Sequence, residues 1–156
     1  MRSRRGFVPS FRRWHPWIED VAKESLRRAW LETGYRVRLP RGGSAVIRIG
    51  EPLPRALHDF LRDESEPWGF ITAWNPRAQI APRSFNRARQ RELRNALRAS
   101  NARCRAGIGV GREWREPSLF VAGLDFEMLD ALARRFGQAA IVRGTGFGIA
   151  ELRELM

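Results

Sequence analysis

Apolar and polar positions alternate along the chain with two different periods, which predict four helices and six strands. The helices are expected at Pro16–Thr33, from Pro54 onward, at Ser84–Ala99 and at Asp125–Gly137. The strands are expected at Tyr35–Leu39, Ala45–Ile49, Trp68–Trp74, Arg105–Val110, Ser118–Ala122 and Gln138–Val142. The order α-β-β-α-β-α-β-β-α-β predicts an α/β fold, α+β in its arrangement, with helices packed on a mixed β-sheet.

Proline, glycine and serine mark several of these boundaries. Pro16 suits the first turn of a helix, and Gly34 suits the position just after a helix end. The pair Gly42-Gly43 between two β-rich segments is typical of a hairpin. Ser84 is the expected N-cap of the third helix, because its hydroxyl can accept from a free amide of the first turn.

Two strands have unusual side-chain patterns. The segment Trp68–Trp74 is apolar on both faces, which predicts an interior strand that is covered on both sides. In the next strand, Gly107 and Gly109 share one face with Gly111. A face of glycines permits close approach by a backbone or a ligand. Crowding by a packed helix is the preferred explanation.

Length and composition indicate one domain. The chain has 156 residues, of which 43% are hydrophobic, which is normal for a globular protein of this size. Residues 1–15 are expected to form a basic tail, and residues 16–156 a single α/β domain. No apolar segment approaches the roughly 20 residues that span a bilayer, so no membrane partner is expected.

The few cysteine and histidine residues narrow the chemistry. One cysteine makes no intramolecular disulfide and fits a reducing, cytoplasmic setting. We expect Cys104 to be buried and inert, and His58 to be exposed. With only two histidines in the chain, a zinc site is not expected, and neither a metal nor a cofactor is predicted.

The formal charge of +12 is concentrated in two segments, residues 1–14 and residues 83–105. In the second segment, five arginines fall within an arc of about 80° on a helix of 3.6 residues per turn. These stripe arginines are Arg83, Arg87, Arg91, Arg94 and Arg98. A charged stripe is usually a solvated face. Because this one contains no acid, it also suits a nucleic acid or another polyanion, bound without sequence specificity.

Polar residues at strand ends and on the apolar face of the same helix form a second group. The group contains Thr72, Asn75, Asn86, Arg89, Glu116, Ser118 and Gln138. A buried arginine needs a partner, and Glu116 is the expected partner of Arg89. These groups either cap strand ends and satisfy one another, or they line a small polar pocket for an anionic or nucleotide-like ligand.

The sequence contains no complete standard catalytic motif. The string Gly-Thr-Gly-Phe-Gly at 144–148 follows a strand, as a dinucleotide-binding turn does, but too few residues remain after it for the rest of that motif. We expect a flexible C-terminal turn there. A P-loop, a nucleophile elbow and a paired-histidine motif are all missing from the sequence, so whether the chain is an enzyme is left open.

Three short motifs resemble those of a bacterial protein family. They are Thr-Ala-Trp-Asn-Pro at 72–76, Trp-Arg-Glu-Pro-Ser at 114–118 and Phe-Gly-Gln-Ala-Ala-Ile at 136–141. Their order and spacing are similar to those in the family called domain of unknown function 3293. The resemblance covers about residues 67–143. The family carries no established activity. The resemblance implies that Asn75, Asn86, Glu116 and Gln138 belong to one constellation.

Overall fold

The computed structural model describes the backbone of residues 16–156 and the side chains of residues 22–156. The expected basic tail, residues 1–15, lies outside the described residues. The helices are α1 (Pro16–Glu32), α2 (Arg83–Ala99) and α3 (Phe126–Arg135), with short 3₁₀ segments at Arg55–Phe60 and Pro76–Ala78. The strands are β1 (Gly34–Arg38), β2 (Ser44–Ile47), β3 (Pro67–Ile71), β4 (Arg103–Val110), β5 (Arg115–Ala122), β6 (Ala140–Thr145) and β7 (Glu151–Glu154).

All seven of these strands form one sheet in the order β2-β1-β4-β5-β3-β6-β7. The predicted fold class, helices packed on a sheet, is confirmed. Each described pairing is antiparallel, so the sheet does not contain the parallel pairs that a mixed sheet would have. In three of the six pairings, β1–β2, β4–β5 and β6–β7, the strands follow one another through short connections, which join antiparallel neighbours.

Strand β3 lies inside the sheet, between β5 and β6, as its apolar character predicts. Its residue Phe70 is opposite Phe120 on one side and Val142 on the other. Trp68 and Phe70 point to one face, which we call the front face, and Ile71 points to the other, the back face. Each face carries its own apolar cluster, because the residues of a strand alternate between the two faces.

Different elements cover the two clusters. On the front face, Leu57 and Leu61 of the 3₁₀ segment and its C-terminal neighbour pack with residues of β1, β2 and β3. On the back face, Leu93 and Leu97 of α2 and Leu129 of α3 pack with β3 and β5. The sheet therefore separates a front layer of short 3₁₀ structure from a back layer of two α-helices.

The C-terminal glycine string connects two paired strands, and β7 was not predicted. Gly146 has a φ of 55°, and a Cβ there would lie 1.8 Å from the carbonyl oxygen of Glu64. The carbonyl oxygen of Gly146 accepts a hydrogen bond from the indole of Trp68 at 3.0 Å. Only glycine fits both the left-handed backbone and this close approach, so the string is fixed in place by the front layer.

Four local predictions are wrong. The helix expected from Pro54 is a 3₁₀ segment. Ser84 is not an N-cap, because α2 already begins at Arg83 and Pro82 occupies the cap position. His58 is not exposed: it is half-buried and stacks on Phe147 with the ring centroids 3.7 Å apart. Cys104 is exposed rather than buried.

The glycine face of β4 accommodates aromatic side chains, not the packed helix that was expected. A Cβ on Gly107 would lie 2.8 Å from the ring of Phe70, and a Cβ on Gly111 would lie 2.1 Å from the indole nitrogen of Trp114. Gly109 also borders the Trp114 ring. The glycines therefore let the Trp114 side chain lie flat against the front face.

We expect the backbone amides of β3 to exchange with solvent only through global unfolding, because β3 is paired on both sides and buried on both faces. Amides of β7, which is paired on one side only, should exchange faster. Hydrogen exchange followed by NMR or mass spectrometry measures both. Equal protection of Phe70 and Leu152 would contradict the interior position of β3.

Candidate functional site

Two adjoining pockets on the front face share five lining residues: Trp30, Trp114, Glu116, Gln138 and Ala140. The inner pocket, of ≈ 50 Å³, extends over the sheet to Phe70 and Tyr35. The outer one, of ≈ 230 Å³, opens between α1 and the segment that follows β3. We call the two together the Glu116 pocket. Its volume is much larger than a single water molecule requires.

Strand alternation brings the polar residues to this pocket. Glu116 and Ser118 precede the front-face residue Phe120 at intervals of two along β5, and Thr72 follows Phe70 at the same interval. Gln138 leads into β6, the neighbour of β3 on its other side. Three adjacent strands therefore present Thr72, Glu116, Ser118 and Gln138 side by side.

A reciprocal pair of asparagines holds the rim of the outer pocket. The Asn75 backbone amide donates to Asn86 Oδ1 at 2.9 Å, and Asn86 Nδ2 donates to Asn75 Oδ1 at 2.8 Å. The Ala81 amide also donates to Asn75 Oδ1, at 3.0 Å. These bonds close the segment between Asn75 and Ala81 into a fixed loop.

That rim loop has an uncommon backbone. Asn75, Arg77 and Ala78 all have positive φ, at 47°, 59° and 58°, a region that residues other than glycine enter infrequently. The Arg77 amide donates to the carbonyl oxygen of Gly137 at 2.6 Å, which ties the loop to the end of α3. Ile80, which also borders the outer pocket, is 96% exposed.

Glu116 is the central ionisable group. Asn75 Nδ2 donates to its Oε1 at 3.3 Å. Burial against the pocket walls raises the pKa of Glu116 to about 7, although the bond from Asn75 acts in the opposite direction. At neutral pH the side chain therefore divides between the acid and the carboxylate.

Tyr35 at the floor of the pocket stays protonated. Its hydroxyl donates to the carbonyl oxygen of Trp30 at 2.7 Å. Burial raises the pKa of Tyr35 well above its usual range, and the charge of Glu116 adds to that effect. Tyr35 thus fixes the C-terminal end of α1, which supplies Trp30 to the pocket wall.

The prediction that Arg89 pairs with Glu116 is wrong. Its guanidinium lies over the ring of Phe136 at 4.7 Å and forms an ion pair with Glu92 at 2.9 Å. It also donates to the carbonyl oxygen of Arg135 at 3.2 Å. The long side chain leaves the apolar face of α2 and reaches solvent at the side of α3, so Arg89 is not a pocket residue.

The remaining polar candidates bond to nearby backbone. Thr72 Oγ1 donates to the carbonyl oxygen of Pro117 at 2.7 Å, and Ser118 Oγ donates to that of Glu116 at 3.0 Å. Gln138 Nε2 makes longer bonds of 3.4 Å to the carbonyl oxygens of Trp74 and Phe136. Gln138 is therefore the least tightly held of these side chains.

Sequence reasoning missed Gln90, Trp30 and Tyr35. Gln90 is buried on α2, and its Oε1 accepts from the Ala73 amide at 2.8 Å. Its spacing of four from Asn86 was an available signal, since such residues share a helix face. Nothing in the sequence marked Trp30 and Tyr35, because their place depends on how α1 packs.

The stripe arginines of α2 are all exposed, as their arc predicts. Phe85 and Ala88 of the same helix are exposed as well. Within residues 22–156, no cluster of histidine, cysteine and acidic side chains is arranged to hold a metal ion. None of the described helices is long and apolar enough to cross a membrane.

Residues 71–141 match the sequence model of the family described as Protein of unknown function (DUF3293). The resemblance seen in the three motifs is thereby confirmed. The matched segment contains Asn75, Asn86 and Glu116, whereas Trp30 and Tyr35 lie before it. No curated protein and no solved structure matched the chain.

Removing the asparagine pair should destabilise the protein. Asn86→Ala leaves the Asn75 amide without its acceptor, and an unsatisfied buried group costs about 1–3 kcal/mol. Urea denaturation measures the change. Asn95→Ala, an exposed position on the same helix, is the matched control and should change stability by less than about 0.5 kcal/mol. Equal effects of the two substitutions would contradict the structural role of the pair.

Stability should depend on the proton of Glu116. Because the folded-state pKa is raised, the neutral side chain is fully tolerated at acid pH, and stability is lost as pH rises through about 7. Glu116→Gln removes that loss. Relative to the parent, this variant should gain up to about 3 kcal/mol between acid pH and pH 8, since one pKa unit corresponds to about 1.4 kcal/mol. Thermal melts across pH test this, and parallel profiles would contradict it.

Proposed function

We propose that the Glu116 pocket binds a small polar ligand and exchanges a proton with it through Glu116. The observation that carries this proposal is a carboxyl group with a pKa of about 7 at the junction of two open pockets. Ionisable groups with strongly shifted pKa values in clefts are often functional. The combination of apolar walls with a few convergent polar groups is also typical of ligand sites.

The lining favours a neutral or amine-bearing ligand. Of the lining side chains that the structure describes, Glu116 is the only charged one. An anionic group of the kind expected from the sequence would meet this carboxylate without a compensating arginine, and burying unpaired charge is unfavourable. We therefore assign to the pocket a ligand with N–H donors, such as an amide or a nucleobase-like heterocycle. Any phosphate attached to it stays outside.

The aromatic side chains support a planar ligand. Trp30 and Trp114 line both parts of the pocket, and Phe70 and Tyr35 line the inner part. Aromatic walls bury large apolar area and favour flat partners. Gln138, with its two long hydrogen bonds, can exchange them for bonds to a ligand at small cost.

Proton exchange is the chemistry that Glu116 can contribute. A side chain whose pKa is close to the working pH is suited to general acid–base catalysis, since both protonation states are populated. We place this activity in the cytoplasm, because a chain with one cysteine is compatible with a reducing compartment.

Ligand-detected NMR with matched probes tests the proposal. Benzamide, adenine and cytosine should bind, and benzoate should bind at least tenfold more weakly, a difference of about 1.4 kcal/mol. Affinity for the neutral probes should change between pH 6 and 8 in the parent protein, and Glu116→Gln should remove that change. Glu113→Gln, an exposed acid three residues earlier, is the control and should retain it.

Two results would overturn the assignment. One is benzoate binding as tight as benzamide binding, which would indicate an anion site. The other is a pH dependence that survives in Glu116→Gln, which would move the proton exchange to another group.

A further inference from the structure

A strip of the back face of the sheet lies beyond the edge of α2. It consists of the back-facing positions of β2, β1 and β4, the three strands at one end of the sheet order. Tyr35 and Val37 belong to the front cluster, so Arg36 and Arg38 face the back of the sheet. Both arginines are exposed.

More arginines gather on this strip. Arg36, Arg48 and Arg112 line one open depression of ≈ 390 Å³, and Glu32 is the one acid among its described lining residues. The guanidinium of Arg48 lies over Gly34, where a Cβ would be 3.9 Å from it. Among the ion pairs of the described side chains, none involves these three arginines. All three arginines are exposed to solvent.

The stripe arginines of α2 border the same strip. Helix α2 packs against β4. Partial burial raises the pKa of the Cys104 thiol, and Arg94 and Arg98 lie near enough to it to act in the opposite direction. Cys104 itself belongs to the back-facing positions of β4, because it is opposite Val121, a member of the back cluster. The helix stripe and the strand arginines therefore flank β4 from its two sides.

We propose that this two-sided surface, formed by the α2 stripe and by Arg36, Arg38, Arg48 and Arg112, binds the phosphate backbone of a nucleic-acid duplex. It lies on the side of the sheet opposite the Glu116 pocket and does not depend on the function proposed there. Charge complementarity carries the assignment, since phosphate contacts from arginine dominate affinity for nucleic acids.

The surface between the arginines favours a duplex over single strands. The back-facing positions of β4 are Cys104, Ala106, Ile108 and Val110, which are small or aliphatic. Single-strand binding uses aromatic side chains on which unpaired bases stack. A duplex needs only backbone contacts, and the stripe from Arg83 to Arg98 extends about 22 Å along the helix at 1.5 Å per residue.

The arginines that strand pairing brings to this surface differ from those in the basic sequence segment 83–105. Arg36, Arg38 and Arg48 lie in the part of the sequence where acids and bases balance, so only the fold adds them. Conversely, Arg103 pairs with Glu66, and Arg105 lies over the ring of Phe60 on the front face. The two strand arginines of the basic segment are therefore not part of the surface.

Fluorescence anisotropy with the full chain and a labelled DNA duplex tests the proposal through its salt dependence. Each neutralised phosphate contributes about −0.9 to the slope of log K against log salt. Arg36→Gln/Arg48→Gln should flatten that slope by about 2 units, and Arg94→Gln/Arg98→Gln by about the same amount. Thermal melts of each variant establish that it is folded.

The matched control is Arg55→Gln/Arg62→Gln. Arg55 is the first residue of the 3₁₀ segment that covers the front face, and Arg62 follows that segment; both are exposed. The control therefore removes equal charge from the other side of the sheet. Its slope should remain that of the parent. A duplex RNA should compete with the DNA duplex, because both present the same phosphate chemistry.

Several outcomes would overturn the proposal. An unchanged slope in the strand variant, with a flattened slope in the helix variant, would restrict binding to α2. Equal flattening in the control would show that only net charge matters. Unchanged slopes in all variants would assign binding to the N-terminal residues 1–15. Tighter binding of single strands than of duplexes, equal competition by polyglutamate, or no binding at low salt would also refute it.

Discussion

The burial of β3 on both faces is the constraint on which the rest of the structure depends. A strand that carries Trp68 and Phe70 on one face and Ile71 on the other has to be covered twice. The 3₁₀ segment covers the front face of β3, and α2 and α3 cover its back face. This burial also places the end of β3, with Thr72 and Asn75, next to β5 and β6, where the polar side chains meet. The candidate pocket is thus a consequence of how the core is closed.

Much of the fold could be predicted because apolar runs and glycine positions reflect burial directly. The interior place of β3 followed from its apolar faces, and the exposure of the α2 stripe followed from helix periodicity. Strand β7 was missed because Glu151–Glu154 is a charged edge strand with little apolar pattern. The 3₁₀ segment was read as an α-helix because both forms bury residues at similar spacing.

The candidate site was predicted less completely, for reasons that concern side-chain length and packing. Asn75 and Glu116 could be selected because they sit near strand ends, and Asn86 because it lies on the apolar face of α2; hydrogen bonds join the three side chains. Arg89 was misplaced because angular position on a helix describes the Cβ direction, whereas a guanidinium can extend several ångströms to another partner. Trp30 reaches the pocket only through the packing of α1, and Arg36 joins the back surface only through strand pairing. Neither relationship is encoded in local spacing.

The left-handed backbone of the rim loop has an energetic consequence for anything that enters the pocket. Each such residue other than glycine stores about 1–3 kcal/mol of conformational energy, and Asn75, Arg77 and Ala78 do so within four positions. The hydrogen bonds of the asparagine pair and the bond from Arg77 to Gly137 offset this energy when the protein folds. The rim loop is therefore preorganised for a ligand, and ligand binding does not have to supply the entropy of ordering that loop.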